Sequence, residues 1–224
     1  MDGKSAETRD SLIQAAIPLF AESGFKGVSV REICAAAGAN VAAVQYHFDG
    51  KEGLYRAVFE ALLAEDEANF SHAMQQLQAM IDEAQGDRDA LAITLSVYID
   101  SFFSRFPCEP HRRWYAMLVV RELSFPGLGF ELIYQRRAQP SQQIFTRIIA
   151  GLQHIDENSD RAKLQAYVLM GTMLNVIVSR HALLATMGAG QPCVDVLTQA
   201  SATAGELIFN ALGLTSKTLA SVEE

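Results

Sequence analysis

Cysteine is scarce in this chain: three residues in 224, Cys34, Cys108 and Cys193, far apart and without CxxC or other paired spacing. That argues against a disulfide framework or a thiolate zinc site and suits a reducing compartment. There is no phosphate loop, no GxSxG and no HExxH, so the common signatures of nucleotide, esterase and metalloprotease chemistry are missing. No alternation of useful length marks a strand, and no internal repeat or low-complexity segment appears. An uninterrupted span of about 20 apolar residues is also lacking. The most apolar stretch, 164–187, is broken by Gln165, Asn175, Arg180 and His181 and reads as a buried helix. The first ten residues, MDGKSAETRD, mix both charges and have no apolar run behind a basic leader, so no secretory leader is expected. The expectation is a cytoplasmic protein without a membrane span, cofactor or metal.

Half of the residues are hydrophobic and 20% are charged, which supports a sizeable core and excludes a disordered or collagen-like chain. The length fits one large domain or two small ones. Net charge is −8, unevenly spread: residues 1–56 carry six Lys/Arg against seven Asp/Glu, and the other 168 residues carry −7. A nucleic-acid surface would therefore sit in the near-neutral N-terminal part and depend on local placement.

Nearly everything reads helical, so the expected fold class is all-α. Leu12, Ala16, Leu19 and Phe20 share one face of a helix over 5–23, closed by Gly24 and interrupted by Pro18, which removes one backbone bond or kinks it. Ser29 and Glu32 form a capping box that opens a short helix ending at Gly38. Asn40 caps another through Tyr46, and Asp49-Gly50 makes a turn before a long helix from Lys51 to the Gly86-Asp87 break. Further helices are expected over 88–106, 111–123, 130–152, 160–187 and 192–212.

Two short helices joined by Ala35-Ala36-Ala37-Gly38-Ala39 have helix-turn-helix spacing, with glycine where the turn becomes left-handed. Ile33 and Val44 are placed to pack inward. The second helix then offers Asn40, Val41, Ala42, Gln45 and Tyr46 outward, a small face suited to a major groove about 12 Å wide.

The run from Thr8 to Tyr55 resembles the DNA-binding domain of TetR/AcrR-family repressors. The residues that carry the likeness are Ala15-Ala16, Leu19-Phe20, Gly24-Phe25, Ser29 to Ile33, Ala37-Gly38, Tyr46-His47-Phe48 and Lys51 to Leu54. Arg121-Glu122, Pro126, Phe130 and Pro140 resemble the ligand domain of CecR-type regulators. The resemblance implies an all-helical homodimer that binds operator DNA through residues 1–55 and senses a small molecule through residues 56–224. It also implies DNA-contact roles for Ser29, Arg31, Asn40, Val41, Ala42, Gln45, Tyr46, His47 and Lys51, with Ser29, Tyr46 and Lys51 at phosphate-contacting positions. Lys51 opens a helix, where positive charge is locally unfavourable, which favours an external phosphate. The sequence departs from the commoner pattern at Val28, usually threonine, at Ala42-Ala43, usually Gly-Thr, and at Gln45, frequently tyrosine. Losing the threonine hydroxyl at Val28 removes one phosphate bond, and Gln45 can pair bidentately with adenine.

In the larger part, His111, Trp114, Tyr115, Met117, Arg121, Glu122, Phe125 and Tyr134, with Met170 and Asn175, are the candidate ligand-pocket residues, since aromatics with a few polar anchors hold small molecules. The bland alternative makes Trp114, Met117 and Leu118 core and Arg121–Glu122 an ion pair. The helices over 160–187 and 192–212 are apolar around most of their circumference, which calls for more than one partner and suits two-fold pairing of two chains. Two rivals remain: a helical ligand-binding or interaction protein that no longer reads DNA, and an enzyme using Cys108 and His111, whose spacing alone neither orients the pair nor activates the thiol.

Overall fold

The computed structural model describes residues 2–105, 110–188 and 193–214, with backbone alone at 2, 3 and 110–113. The described elements are α1 (Asp2–Gly27), α2 (Val30–Ala37), α3 (Val41–Phe48), α4 (Lys51–Glu65), α5 (Glu67–Ala84), α6 (Arg88–Ser104), α7 (Pro110–Ser124) and α8 (Phe130–Ile133). A π-helical turn, Tyr134–Ala138, leads into α9 (Gln139–Gln153), followed by α10 (Asp160–Val178), α11 (Arg180–Met187) and α12 (Cys193–Ala211). The all-α expectation holds. The chain divides into two compact units, Met1–Ala68 with Glu109–Arg137, and Asn69–Cys108 with Ala138–Glu224.

The first unit is built on α1. Its helical backbone runs through Pro18, and the non-helical residue is Gly24, at φ 72°. Leu12, Ala16 and Phe20 are fully buried and meet Ile33 of α2, Val44 of α3, Leu54 and Val58 of α4, Leu118 of α7 and Ile133 of α8. Burial of each large apolar side chain contributes about 1.5–3 kcal/mol, which makes this core the main fixative of the short helices. Tyr55 sits edge-on to Phe20 at 4.8 Å and to Phe59 at 5.1 Å.

In the second unit α9 packs against α6 and α10, and α12 against α6 and α10. Leu91, Leu95, Tyr98, Phe145, Ile148, Ala162, Ala166 and Ile208 are buried in it. Tyr98 stacks on Phe145 at 4.7 Å and places its hydroxyl 3.0 Å from Ser141 Oγ. Gly151 lets α9 close on α6, since a Cβ there would stand 2.6 Å from Leu91.

Three long helices expected from sequence are broken, each for a local reason. The helix over 51–85 divides at Asp66 (φ −119°, ψ 14°). The Leu63 carbonyl, which a continuous helix would bond to residue 67, instead accepts from Arg137 Nη2 at 2.5 Å. Glu67 accepts from Arg136 at 2.6 Å and from Arg137 at 2.9 Å, which fixes the break. The helix over 130–152 widens into the π turn because Pro140 has no N–H for the Arg136 carbonyl; that oxygen accepts from Arg137 Nη1 at 2.9 Å. The helix over 160–187 bends by 68° at Ser179, whose hydroxyl donates to the Asn175 carbonyl at 2.5 Å. No single described helix is long and apolar enough to cross a membrane.

Candidate nucleic-acid interface

The geometry of α2 and α3 begins with their caps. Ser29 Oγ accepts from Glu32 N at 3.2 Å, and Ser29 N donates to Glu32 Oε2 at 2.6 Å, completing the capping box. The Ser29 hydroxyl and then its backbone N–H hold the Glu32 carboxyl below its ordinary pKa. Gly38 closes α2 in the left-handed region at φ 65°. The chain then turns so that Cys34 Sγ donates to the Asn40 carbonyl at 3.4 Å. Asn40 Oδ1 accepts from Ala43 N at 2.9 Å, the cap that starts α3. Val44 and Phe48 pin α3 to the core.

This leaves one row of α3 uncovered. Asn40, Val41, Ala42, Gln45 and Tyr46 are all exposed, Tyr46 by 80%, and so are Ser29 and Arg31 on α2. His47 is half-buried, with its ring 4.9 Å from that of Tyr46. Lys51, also half-buried, places Nζ 4.4 Å from the Phe25 ring centroid. Its charge at a helix N-terminus therefore has an internal partner, and the unfavourable dipole does not by itself require a phosphate. Val28 is 4% exposed and belongs to the core. A valine there is explained by packing.

Four residues outside the expected DNA contacts shape this face. Arg9 lies 5.4 Å from the Phe48 ring centroid, and Phe25 receives Lys51. Asp49, at φ 55°, closes α3 and accepts from Gln45 Nε2 at 2.7 Å; the four-residue Gln–Asp spacing was the available signal. Gly53 lies so close to the end of α3 that a Cβ there would fall inside the Phe48 carbonyl.

The proposed pocket residues are divided between the units. Trp114, Tyr115, Met117, Arg121, Glu122, Phe125 and Tyr134 belong to the first and Met170 and Asn175 to the second; the side chains of His111 and Cys108 lie outside the described residues. Arg121 and Glu122 are not an ion pair. Arg121 Nη2 donates to the Ala21 and Glu22 carbonyls of α1 at 3.3 Å. Glu122, 3% exposed, accepts from Tyr55 Oη at 2.7 Å and from Gly127 N and Gly129 N at 3.0 Å. Burial first, then the Glu122 bond, pushes the Tyr55 phenol well above its ordinary pKa. Trp114 packs at the edge of the core, whereas Met117 is 41% and Phe125 80% exposed, so of the three residues offered as core only Leu118 is fully buried. Tyr134 stacks on Phe130 at 5.6 Å. Met170 is buried; Asn175 is exposed in a groove of about 690 Å³ along α10, α11 and α12. Among the described residues no cluster of His, Cys, Asp and Glu could hold a metal.

A small helical core carrying two capped helices at a glycine turn, with the outer row of the second left bare, defines a helix-turn-helix DNA-binding protein. The family model described as "Bacterial regulatory proteins, tetR family" matches residues 12–58. That of the C-terminal domain of the "HTH-type transcriptional dual regulator CecR" matches residues 92–212. The chain belongs to the TetR family of transcriptional regulators, with a CecR-type C-terminal domain. It is 26% identical over 185 residues to the dual regulator CecR of Shigella flexneri, covering 83% of this chain and 82% of that one. It is 33% identical over 142 residues to the probable regulator YttP of Bacillus subtilis, covering 63% of each. The crystal structure of HlyIIR, a hemolysin II transcriptional regulator, shares the fold, with a TM-score of 0.55 at 18% identity over 89% of this chain and 97% of that one. The sequence relatives are regulators of transcription and not enzymes.

Proposed function

We propose that the protein is a cytoplasmic, ligand-responsive repressor that binds palindromic operator DNA as a homodimer. The observation that carries this reading is the uncovered row Val41, Ala42, Gln45 and Tyr46 on α3, with Asn40 and Ser29 at the caps and Lys51 beside it. In a dimer, two such helices about 34–36 Å apart reach successive major grooves on one face of the duplex. Support for pairing comes from α10, which buries Ala162, Ala166 and Met173 on one side while exposing Leu164, Tyr167 and Val168 on the other. Leu207 of α12 is 60% exposed, and the α10–α12 groove offers a second copy an apolar seat.

A small molecule held by residues 56–224 is the proposed release signal. The packing of α7 suits that role: Arg121 holds the end of α1 and Glu122 holds Tyr55 of α4, so an effector that shifts α7 disturbs the supports of the reading helix. A coupling of roughly 1–3 kcal/mol, or 5–150-fold in affinity, is enough for a switch.

The test is selection of sites from a random duplex library by the dialysed protein, with the Gln45→Ala/Lys51→Ala variant in parallel. Enrichment of a palindrome by the native protein alone is the expected result. A folded dimer that enriches nothing after dialysis would sink the operator-binding reading and favour a ligand-binding protein that no longer reads DNA.

A further inference from the structure

The bond between Gln45 and Asp49 is not what closes the turn after α3. The turn after α3 is already closed by backbone, with Asp49 N donating to the Gln45 carbonyl at 3.1 Å and Gly50 N to the Val44 carbonyl at 3.5 Å. Asp49 occupies the left-handed region at φ 55°, where glycine is the least strained residue. What aspartate adds at this position is a carboxylate, and that carboxylate lies 2.7 Å from Gln45 Nε2.

We infer that Asp49 is a specificity-determining residue acting through Gln45: it fixes the amide so that Gln45 reads adenine and rejects guanine. This rests on the proposal that α3 reads operator DNA.

The chemistry leaves one orientation. A carboxylate only accepts, so it draws the NH₂ end of the amide and repels the oxygen end. Oε1 lies by the turn that closes α3, 3.8 Å from where a Cβ built on Gly50 would stand. One Nε2 proton goes to Asp49. The second proton and Oε1, which has no hydrogen-bond partner among the described residues, remain as a donor–acceptor edge on an exposed side chain of α3. That edge complements the N7 acceptor and N6 amino donor that adenine shows in the major groove. Guanine presents two acceptors there, O6 and N7, and meets a neighbouring negative charge. Without Asp49 an exposed glutamine rotates freely and can offer either end to either base.

The experiment selects sites with the full-length native protein and with Asp49→Gly, Asp49→Asn, Gln45→Ala and the Gln45→Ala/Asp49→Gly double variant. Competition with duplexes altered at one position per half-site then gives the base preference, and circular dichroism checks that each variant is folded. A bidentate amide–adenine pair is worth about 5–150-fold against the wrong base. Asp49→Gly, which suits the left-handed turn, should keep the palindrome and lose at least about fivefold of that preference. Asp49→Asn keeps an acceptor for Gln45 and should retain more of the preference than Asp49→Gly. The double variant should match Gln45→Ala at that position. Unchanged base preference in Asp49→Gly overturns the inference while leaving operator binding intact, and so does a Gln45→Ala variant that reads every position as the native protein does. A native protein that enriches no site overturns both.

Discussion

Replacing Gly53 by alanine tests whether the α3–α4 junction is as tight as it stands. In an exposed helix interior this change stabilises by about 1 kcal/mol, because glycine has the larger backbone entropy to lose. At residue 53 the sign should reverse. The new Cβ would enter the Phe48 carbonyl oxygen and lie 2.8 Å from its carbon and 3.5 Å from its Cα. The obstacle is backbone, so no side-chain rotation relieves it, and α4 must slide away from the last turn of α3. That slide strains the contacts of Val44, Phe48 and Leu54, all in one core. Overpacking of this kind costs about 1–3 kcal/mol and more when backbone must move. The expected net loss is about 3 kcal/mol, a fall in Tm of about 6–12 °C for a chain of this size. Thermal and urea unfolding followed by circular dichroism measure it. Gly205→Ala is the control, since its Cβ would meet Ile99 at an ordinary 3.9 Å, and it should raise stability slightly. A Gly53→Ala protein as stable as native would refute the packing argument outright.

Tyr55→Phe removes one donor from the buried Glu122 carboxylate and should cost about 1.5–3 kcal/mol, or about 3–12 °C in Tm; a change below 1 °C would show that water or another group replaces the hydroxyl. Burial pushes the Tyr98 phenol up to about 12, against bonds to Ser141 and the Arg105 charge that lower it. The folded state therefore holds that proton more tightly than the unfolded state, whose tyrosines titrate near pH 10. This stability is fully present below about pH 10 and is lost as pH rises through about 12, so the urea midpoint of Tyr98→Phe should fall less steeply than that of the native protein between pH 9 and 11.5; parallel slopes would contradict it. Leu164→Glu with Leu207→Glu places charge on the exposed faces of α10 and α12 and should give a folded monomer in sedimentation velocity, whereas an intact dimer would move the proposed interface elsewhere.

Where structure is set by neighbours in the chain, the sequence is a good guide. Ser29 and Glu32, Gly38 and Asn40 announce the boundaries of α2 and α3 because each acts within three or four residues. The break at Asp66 is of another kind. Glu65-Asp66-Glu67 contains no helix breaker, and what holds the interruption is Arg136 and Arg137, about 70 residues away. Pro140 stands inside the helix expected over 130–152, and the π turn depends on where the freed Arg136 carbonyl finds its donor. Arg121 and Glu122 read as a pair because they are adjacent. On a helix adjacent residues point about 100° apart, and each reaches a different element. Val28, a departure from the common motif, has a packing role in the core that its neighbours in the sequence do not reveal.

The charge distribution bears on how such a protein finds its target. Sliding along random duplex needs a sequence-independent attraction supplied by lysine and arginine. Here the chain carries −8, and its first 56 residues are nearly neutral. Copies should dwell briefly on unrelated chromosome and travel mostly by three-dimensional diffusion between short visits. Few molecules are then sequestered by bulk DNA, so a small pool can keep one site occupied. On the proposed operator-binding reading, the same economy makes the search slow and places the weight of capture on the few exposed side chains of α3.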